Sequence, residues 1–176
     1  MPRPPSDRNT GRLFIALWPS EPVRAGLVAW QDSHAWPANA RRTAAQDLHL
    51  TLHFIGSVPG ERLAEIADGL SMNTPTIELD IDQAVMWPRG LAVLTPSRIP
   101  DALAQLHGDL AERLRRLQLP VDTRRYQPHV TLARRAGAAL NRSTMPAPVH
   151  WSARGHVLAA RDGEHYRVLR SYPGGD

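Results

Sequence analysis

The sequence predicts an α+β fold of two pseudo-symmetric lobes, each an antiparallel sheet with flanking helices, folded as one unit. Three observations carry this expectation. The segment Leu48-His49-Leu50-Thr51-Leu52 returns as Pro128-His129-Val130-Thr131-Leu132, 80 positions later. Each copy follows an apolar strand and a helical stretch, with spacings of 36 residues from Leu13 to His49 and 38 from Leu91 to His129. Each copy is also followed by further strand-like sequence.

The first half opens with the apolar run Leu13-Phe14-Ile15-Ala16-Leu17. Ser20-Glu21-Pro22 then starts a helix, with Ser as cap, Pro at an early position, and Val23, Leu27 and Trp30 on one face. A further helix is expected from Pro59 to Leu70, with Leu63, Ile66, Ala67 and Leu70 inward. Thr76 to Ile81 alternates as a strand and runs toward Trp87.

In the second half, Leu91-Ala92-Val93-Leu94 is the matching strand. A helical stretch beginning near Ser97 follows, and Leu103, Leu106, Leu110, Leu114 and Leu117 recur along it at three and four residues. This helix should end before Pro120. A counterpart of the Pro59 helix, around Ala136 to Leu140, is short. Val149 to Ala160 and Tyr166 to Leu169 flank an Asp162-Gly163 hairpin turn.

With 176 residues, 42% of them apolar, the chain suffices for one domain without disulfides or a structural metal. The domain is expected over residues 12–176, after a disordered tail over residues 1–11 that is rich in Pro, Arg and polar residues. The absence of cysteine excludes disulfide scaffolds, thiolate zinc sites and thiol nucleophiles. No apolar run approaches the roughly 18 residues of a membrane span, so a soluble, cytoplasmic protein is expected. All 21 basic residues are arginine, whose planar fork suits phosphate, although the abundance of Ala, Arg and Pro is the favoured account of the missing lysine and the charge supports a nucleic-acid partner only weakly.

Alternation along a strand puts His49, Thr51 and His53 on one face and Leu50, Leu52 and Phe54 on the other. It does the same for His129 and Thr131 against Val130 and Leu132. If an approximate two-fold relates the lobes, the imidazoles converge across a groove. Two histidines titrating near pH 6.5 can divide the work, one neutral as general base and one protonated as general acid. The threonine hydroxyls between them can donate to a non-bridging oxygen. A reaction with two proton transfers on opposite sides of a tetrahedral centre is phosphodiester cleavage. No carboxylate cluster accompanies the histidines, so neither a metal nor another cofactor is expected.

On these residues, and on Arg12-Leu13-Phe14-Ile15-Ala16-Leu17, His53-Phe54-Ile55-Gly56 and Ala133-Arg134, the chain resembles the 2H phosphoesterases. The likeness is to the RNA 2′,3′-cyclic phosphodiesterase, or 2′-5′ RNA ligase, branch, and it runs from Arg12 to Tyr172. The resemblance implies a groove between lobes and metal-independent hydrolysis of an RNA or oligonucleotide 2′,3′-cyclic phosphate end to a 2′-phosphomonoester. A minor reverse joining through a 2′-5′ linkage goes with it. It implies His49 as proton donor to the leaving 3′ oxygen, His129 as proton acceptor from water, and Thr51, Thr131 and Arg134 as phosphate ligands. The partner is then an RNA or oligonucleotide end, met by a monomer.

Several assignments stay open at this level. Strict alternation from His129 puts Arg134 on the wrong face and Arg135 on the right one, unless the strand bulges near Ala133. His53 either contacts substrate phosphate or sits at the rim. Tyr126 either stacks on a base or packs in the core, and Trp87 reads as packing. Near Leu91 to Thr95 and at Leu158-Ala159-Ala160-Arg161 the chain departs from its relatives, which leaves a small cyclic nucleotide as an alternative substrate. A non-catalytic RNA-binding module is the alternative from another class.

Overall fold

The computed structural model describes residues 10–137 and 146–175. In chain order the elements are β1 (Leu13–Leu17), α1 (Glu21–Asp32), β2 (Arg41–Arg42), β3 (Leu50–Gly56), α2 (Leu63–Gly69), β4 (Ile77–Ile81) and β5 (Gln83–Trp87). These are followed by β6 (Leu91–Thr95), α3 (Asp101–Arg116), β7 (Val130–Arg134), β8 (Val149–Ala153), β9 (His156–Asp162) and β10 (His165–Tyr172). Single 3₁₀ turns occupy Ala45–Asp47 and Gly60–Arg62.

The strands form one eight-stranded sheet in the order β10-β9-β1-β3-β7-β6-β5, with β2 paired to β7, and a second sheet of β4 and β8. All the pairings are antiparallel. One lobe is built from the two ends of the chain (β10, β9, β1, β3) and the other from its middle (β7, β6, β5). The strand that follows each histidine strand therefore crosses over. β5 pairs with β6 in the second lobe, β9 returns to β1 in the first, and β4 and β8 pair with each other.

Two stretches that alternate as single strands in the sequence are broken into pairs. The first breaks at Asp82, whose carboxylate accepts the Ser97 N–H at 2.7 Å and the Ser97 hydroxyl at 2.6 Å. The second breaks at Arg154-Gly155. Gly155 has φ +81°, and a Cβ added there would sit 1.9 Å from the Tyr172 carbonyl oxygen, so only glycine fits this corner.

The helices follow their apolar stripes. Val23, Leu27 and Trp30 of α1 and Leu103, Leu106, Leu110 and Leu114 of α3 are buried in one core with Leu13, Ile15 and Leu17 of β1. α3 stops at Arg116, and Gln118 takes a left-handed conformation (φ +56°) ahead of Pro120. The other side of β1 carries Phe14 and Ala16, which pack with Val157 and Ala159 of β9. Of the expected tail, residues 1–9 lie outside the described residues; Thr10 bonds the Val58 carbonyl through its N–H (3.1 Å) and its hydroxyl (2.9 Å), so packing begins there. Residues 138–140 of the short counterpart helix also lie outside the described residues. Among the described residues, no helix is long and apolar enough to cross a membrane.

Gly155→Ala is expected to destabilise the fold by about 2–4 kcal/mol, because it adds a clash to a left-handed backbone. Gly163→Ala, at φ +65° with open space around it, should cost only the conformational term of about 1–2 kcal/mol. Urea unfolding of the two variants checks the contrast.

Candidate active site

The two lobes' sheets meet through one residue pair, Leu50 of β3 opposite Val130 of β7. Both side chains are fully buried. In an antiparallel register the flanking residues face across in reverse order, which sets His49 toward Thr131 and Thr51 toward His129, all on the side away from Leu50 and Val130. His49, Thr51, His129 and Thr131 accordingly line one cavity of about 240 Å³, together with Phe14, Asp47, Phe54, Arg134 and Tyr166.

Both imidazoles are held in the same way. His49 donates its Nδ1–H to the Asp47 carbonyl at 2.7 Å, and His129 donates its Nδ1–H to the Gln127 carbonyl at 2.9 Å. The carbonyl two residues upstream thus fixes each tautomer, and Nε2 is the atom left for chemistry. Thr51 Oγ1 lies 3.1 Å from His49 Nε2.

Past each threonine the strand bulges. The β1–β3 register slips between Thr51 and His53, and the β6–β7 register slips between Thr131 and Ala133, so Leu52 and Leu132 are the extra residues. Both leucines are buried. The slip reverses the parity of the residues that follow, in the first lobe as far as a second slip at Ile55. Arg134 therefore lines the cavity although strict alternation turns it away, and Arg135, at φ +55°, is not among the lining residues.

In the first lobe the same slip buries His53, 3% exposed, and turns out Phe54, 69% exposed. This reverses the faces that simple alternation assigns to both. The second bulge is anchored at the Leu132 carbonyl, which accepts the Thr43 N–H and Gln31 Nε2–H, both at 2.8 Å. The first has Tyr126, whose hydroxyl donates to the Thr51 carbonyl at 3.3 Å, and His53, whose Nε2–H donates to the His107 carbonyl at 2.8 Å.

The surroundings tune the two histidines. Around His49 stand Trp18, stacked at 5.4 Å, Phe14 at 4.9 Å and Tyr166, edge-on at 5.0 Å; Trp87 lies 4.4 Å from His129. Burial lowers the pKa of His49, helped by the nearby charge of His129 and opposed by the Asp47 carbonyl and carboxylate. Burial also lowers that of His129; the Gln127 carbonyl opposes this and the Arg134 charge adds to it.

The profile of the 2′-5′ RNA ligase superfamily matches residues 19–161. The chain belongs to the 2′-5′ RNA ligase superfamily. A relative from Escherichia coli (strain K12) named RNA 2′,3′-cyclic phosphodiesterase is 34% identical over 146 residues, 80% of each chain. Another of that name, from Thermus thermophilus, is 29% identical over 181 residues, 92% of this chain and 89% of its own. Among solved structures, E. coli LigT complexed with phosphate superposes with a TM-score of 0.81 at 25% identity, covering 96% of this chain and 99% of that one. LigT complexed with 3′-AMP gives 0.82 at 26% identity, covering 95% and 99%.

Within this superfamily member the cavity gathers His49, Thr51, His129, Thr131 and Arg134. His53 and Tyr126 belong to an adjoining stack in which His107 lies between them, 4.0 Å from His53 and 3.9 Å from Tyr126. Burial and the neighbouring His53 push the pKa of His107 down to about 4. Sequence reasoning missed Phe14, Trp18, Phe54, Asp47 and Tyr166. Asp47 is a buried carboxylate that accepts the Tyr166 N–H at 3.0 Å and His165 Nδ1–H at 2.8 Å, while its own carbonyl holds His49. A lone acid two residues before the histidine was the available signal, but its partners lie more than a hundred residues away.

The Asp47 carboxylate raises the pKa of His165, first by the hydrogen bond and then by its charge. Stability from this pair is present below the ordinary histidine range and is lost as pH rises through the raised value. In Asp47→Asn, the His165 imidazole should titrate at lower pH than in the unaltered protein. A proton NMR titration of its Cε1–H checks this, and an unmoved midpoint would contradict the arrangement.

Proposed function

We propose that the chain is a hydrolase of RNA or oligonucleotide 2′,3′-cyclic phosphate ends, opening the ring to a 2′-phosphomonoester with His49 and His129 as the acid–base pair. The observation that carries the reading is the single cavity lined by both His-x-Thr pairs and Arg134, with each Nδ1–H engaged by a carbonyl. The relatives named RNA 2′,3′-cyclic phosphodiesterase supply the reaction class.

The step balances as follows. His129, neutral at Nε2, takes a proton from water as the water oxygen attacks phosphorus. The P–O3′ bond breaks in line, and protonated His49 delivers its Nε2 proton to the departing 3′ oxygen. Thr51, Thr131 and Arg134 donate to the non-bridging oxygens, where charge builds in the transition state. Run backwards with a 5′-hydroxyl in place of water, the same groups form a 2′-5′ linkage as a minor activity.

Substituting either histidine by alanine should lower kcat by about 10²–10⁴-fold, measured by release of 2′-phosphate from a cyclic-phosphate RNA end in the presence of EDTA. Unchanged turnover in both variants would overturn the mechanism. Both imidazoles titrate below the ordinary value of 6.5. The acid therefore loses its proton as pH rises past that range, and the base gains one at lower pH. The kcat/KM profile should be a bell centred on the acidic side of pH 6.5, with the kcat profile shifted alkaline because a bound anion favours the protonated imidazole.

A further inference from the structure

Arg134 has a neighbour that the acid–base machinery does not use. β2 is only two residues long, and it pairs with the end of β7 so that Arg41 stands opposite Arg134 and Arg42 opposite Ala133. Directly opposed residues of an antiparallel pair present their side chains on the same face. Arg42 therefore shares the core face of the buried Ala133, where its guanidinium donates to Gln31 Oε1 at 3.1 Å and pairs with the Asp32 carboxylate of α1. Arg41 shares the face of Arg134, which lines the histidine cavity. Thr43, two residues on and still bonded to β7 through the Leu132 carbonyl, lines that cavity as well, as alternation requires.

The charge of Arg42 is thus neutralised within the fold, and that of Arg41 is not. Arg41 is exposed and stands beside the cavity rather than among its lining residues. Among the described residues, no carboxylate pairs with Arg41 or Arg134. Two more exposed arginines without such a pair, Arg89 and Arg135, lie at the same end of β7, where the Ala136 N–H donates to the Gly90 carbonyl at 2.9 Å. Past Arg134 the cavity therefore opens onto a cationic edge. A single cyclic phosphate, met by Thr51, Thr131 and Arg134, leaves that edge unused. A second phosphate, one nucleotide away, would use it.

We propose that Arg41 holds the phosphodiester joining the terminal nucleotide to the rest of the strand, so that the strand leaves the cavity over the β2–β7 edge. This rests on the reading of the site as a cyclic phosphodiesterase and decides between its two substrate classes. An oligonucleotide end carries the second anion, and a mononucleotide 2′,3′-cyclic phosphate does not. The Cα atoms of opposed residues are about 5 Å apart, so the long side chains of Arg41 and Arg134 can splay onto successive phosphates of one strand, each as a planar fork.

The test compares kcat/KM for adenosine 2′,3′-cyclic phosphate, for the adenosine dinucleotide ending in the same cyclic phosphate, and for that dinucleotide joined by an uncharged methylphosphonate. The unaltered protein should favour the charged dinucleotide over the mononucleotide about tenfold or more, and the methylphosphonate should forfeit the margin. Arg41→Gln should bring the ratio of dinucleotide to mononucleotide toward one. Arg42→Gln, which removes the same charge from the other face of β2, should leave that ratio as it is. A ratio near one in the unaltered protein, a margin kept by the methylphosphonate, an undiminished ratio in Arg41→Gln or an equal loss in Arg42→Gln would overturn the subsite. If no compound is turned over, the hydrolase reading fails and calorimetry decides the subsite separately. The dinucleotide 2′-monophosphate binding about tenfold tighter than adenosine 2′-monophosphate, with the margin lost in Arg41→Gln, upholds it; equal affinities overturn it.

Discussion

The backbone pair between Leu50 and Val130 is the constraint on which the site depends. Among the described residues it is the one register pair joining the two lobes' sheets, and each of its residues directly follows a histidine. Antiparallel geometry then requires the two histidines and two threonines to share one face around the pair. A shift by a single residue would send all four to the opposite side. Burying Leu50 and Val130 completely, at roughly 1.5–3 kcal/mol each, ties the stability of the core to the register of the site.

The bulges at Leu52 and Leu132 are the second constraint, because they decide what surrounds the histidines. Each frees a carbonyl or buries a polar side chain, and each such group is satisfied: the Leu132 carbonyl by Gln31 and Thr43, the Thr51 carbonyl by Tyr126, and His53 by the His107 carbonyl. Residues that look like substrate ligands from the motif, His53 and Tyr126, are engaged in holding the first bulge. Arg134 reaches the cavity through the second. One structural device therefore sets both which arginine lines the cavity and which way His53 and Phe54 face.

Much of this was legible in the chain. The duplicated His-x-Thr segments, the leucine stripe of α3 and the Ser-Glu-Pro start of α1 are local patterns, and local patterns survive folding. The alternation of Thr76 to Ile81 and of the region after Val149 was also readable, but not the corners at Asp82 and Gly155, which depend on Ser97 and Tyr172. A bulge adds one residue without altering composition or periodicity enough to announce itself, so alternation puts Phe54 on the face of the buried Leu50 and Leu52 when it is exposed. Asp47 and the rings of Phe14, Trp18 and Tyr166 acquire meaning only when β10 returns to the 3₁₀ turn ahead of β3, a contact between distant parts of the chain.

The central claim is that both imidazoles act on one phosphate. It is tested most directly by following the Nε2 resonances of His49 and His129 in nitrogen-15 spectra while inorganic phosphate is added. The account predicts that both signals move together, with one dissociation constant and one phosphate per chain. Movement of a single imidazole, or separate saturation of the two, would contradict it.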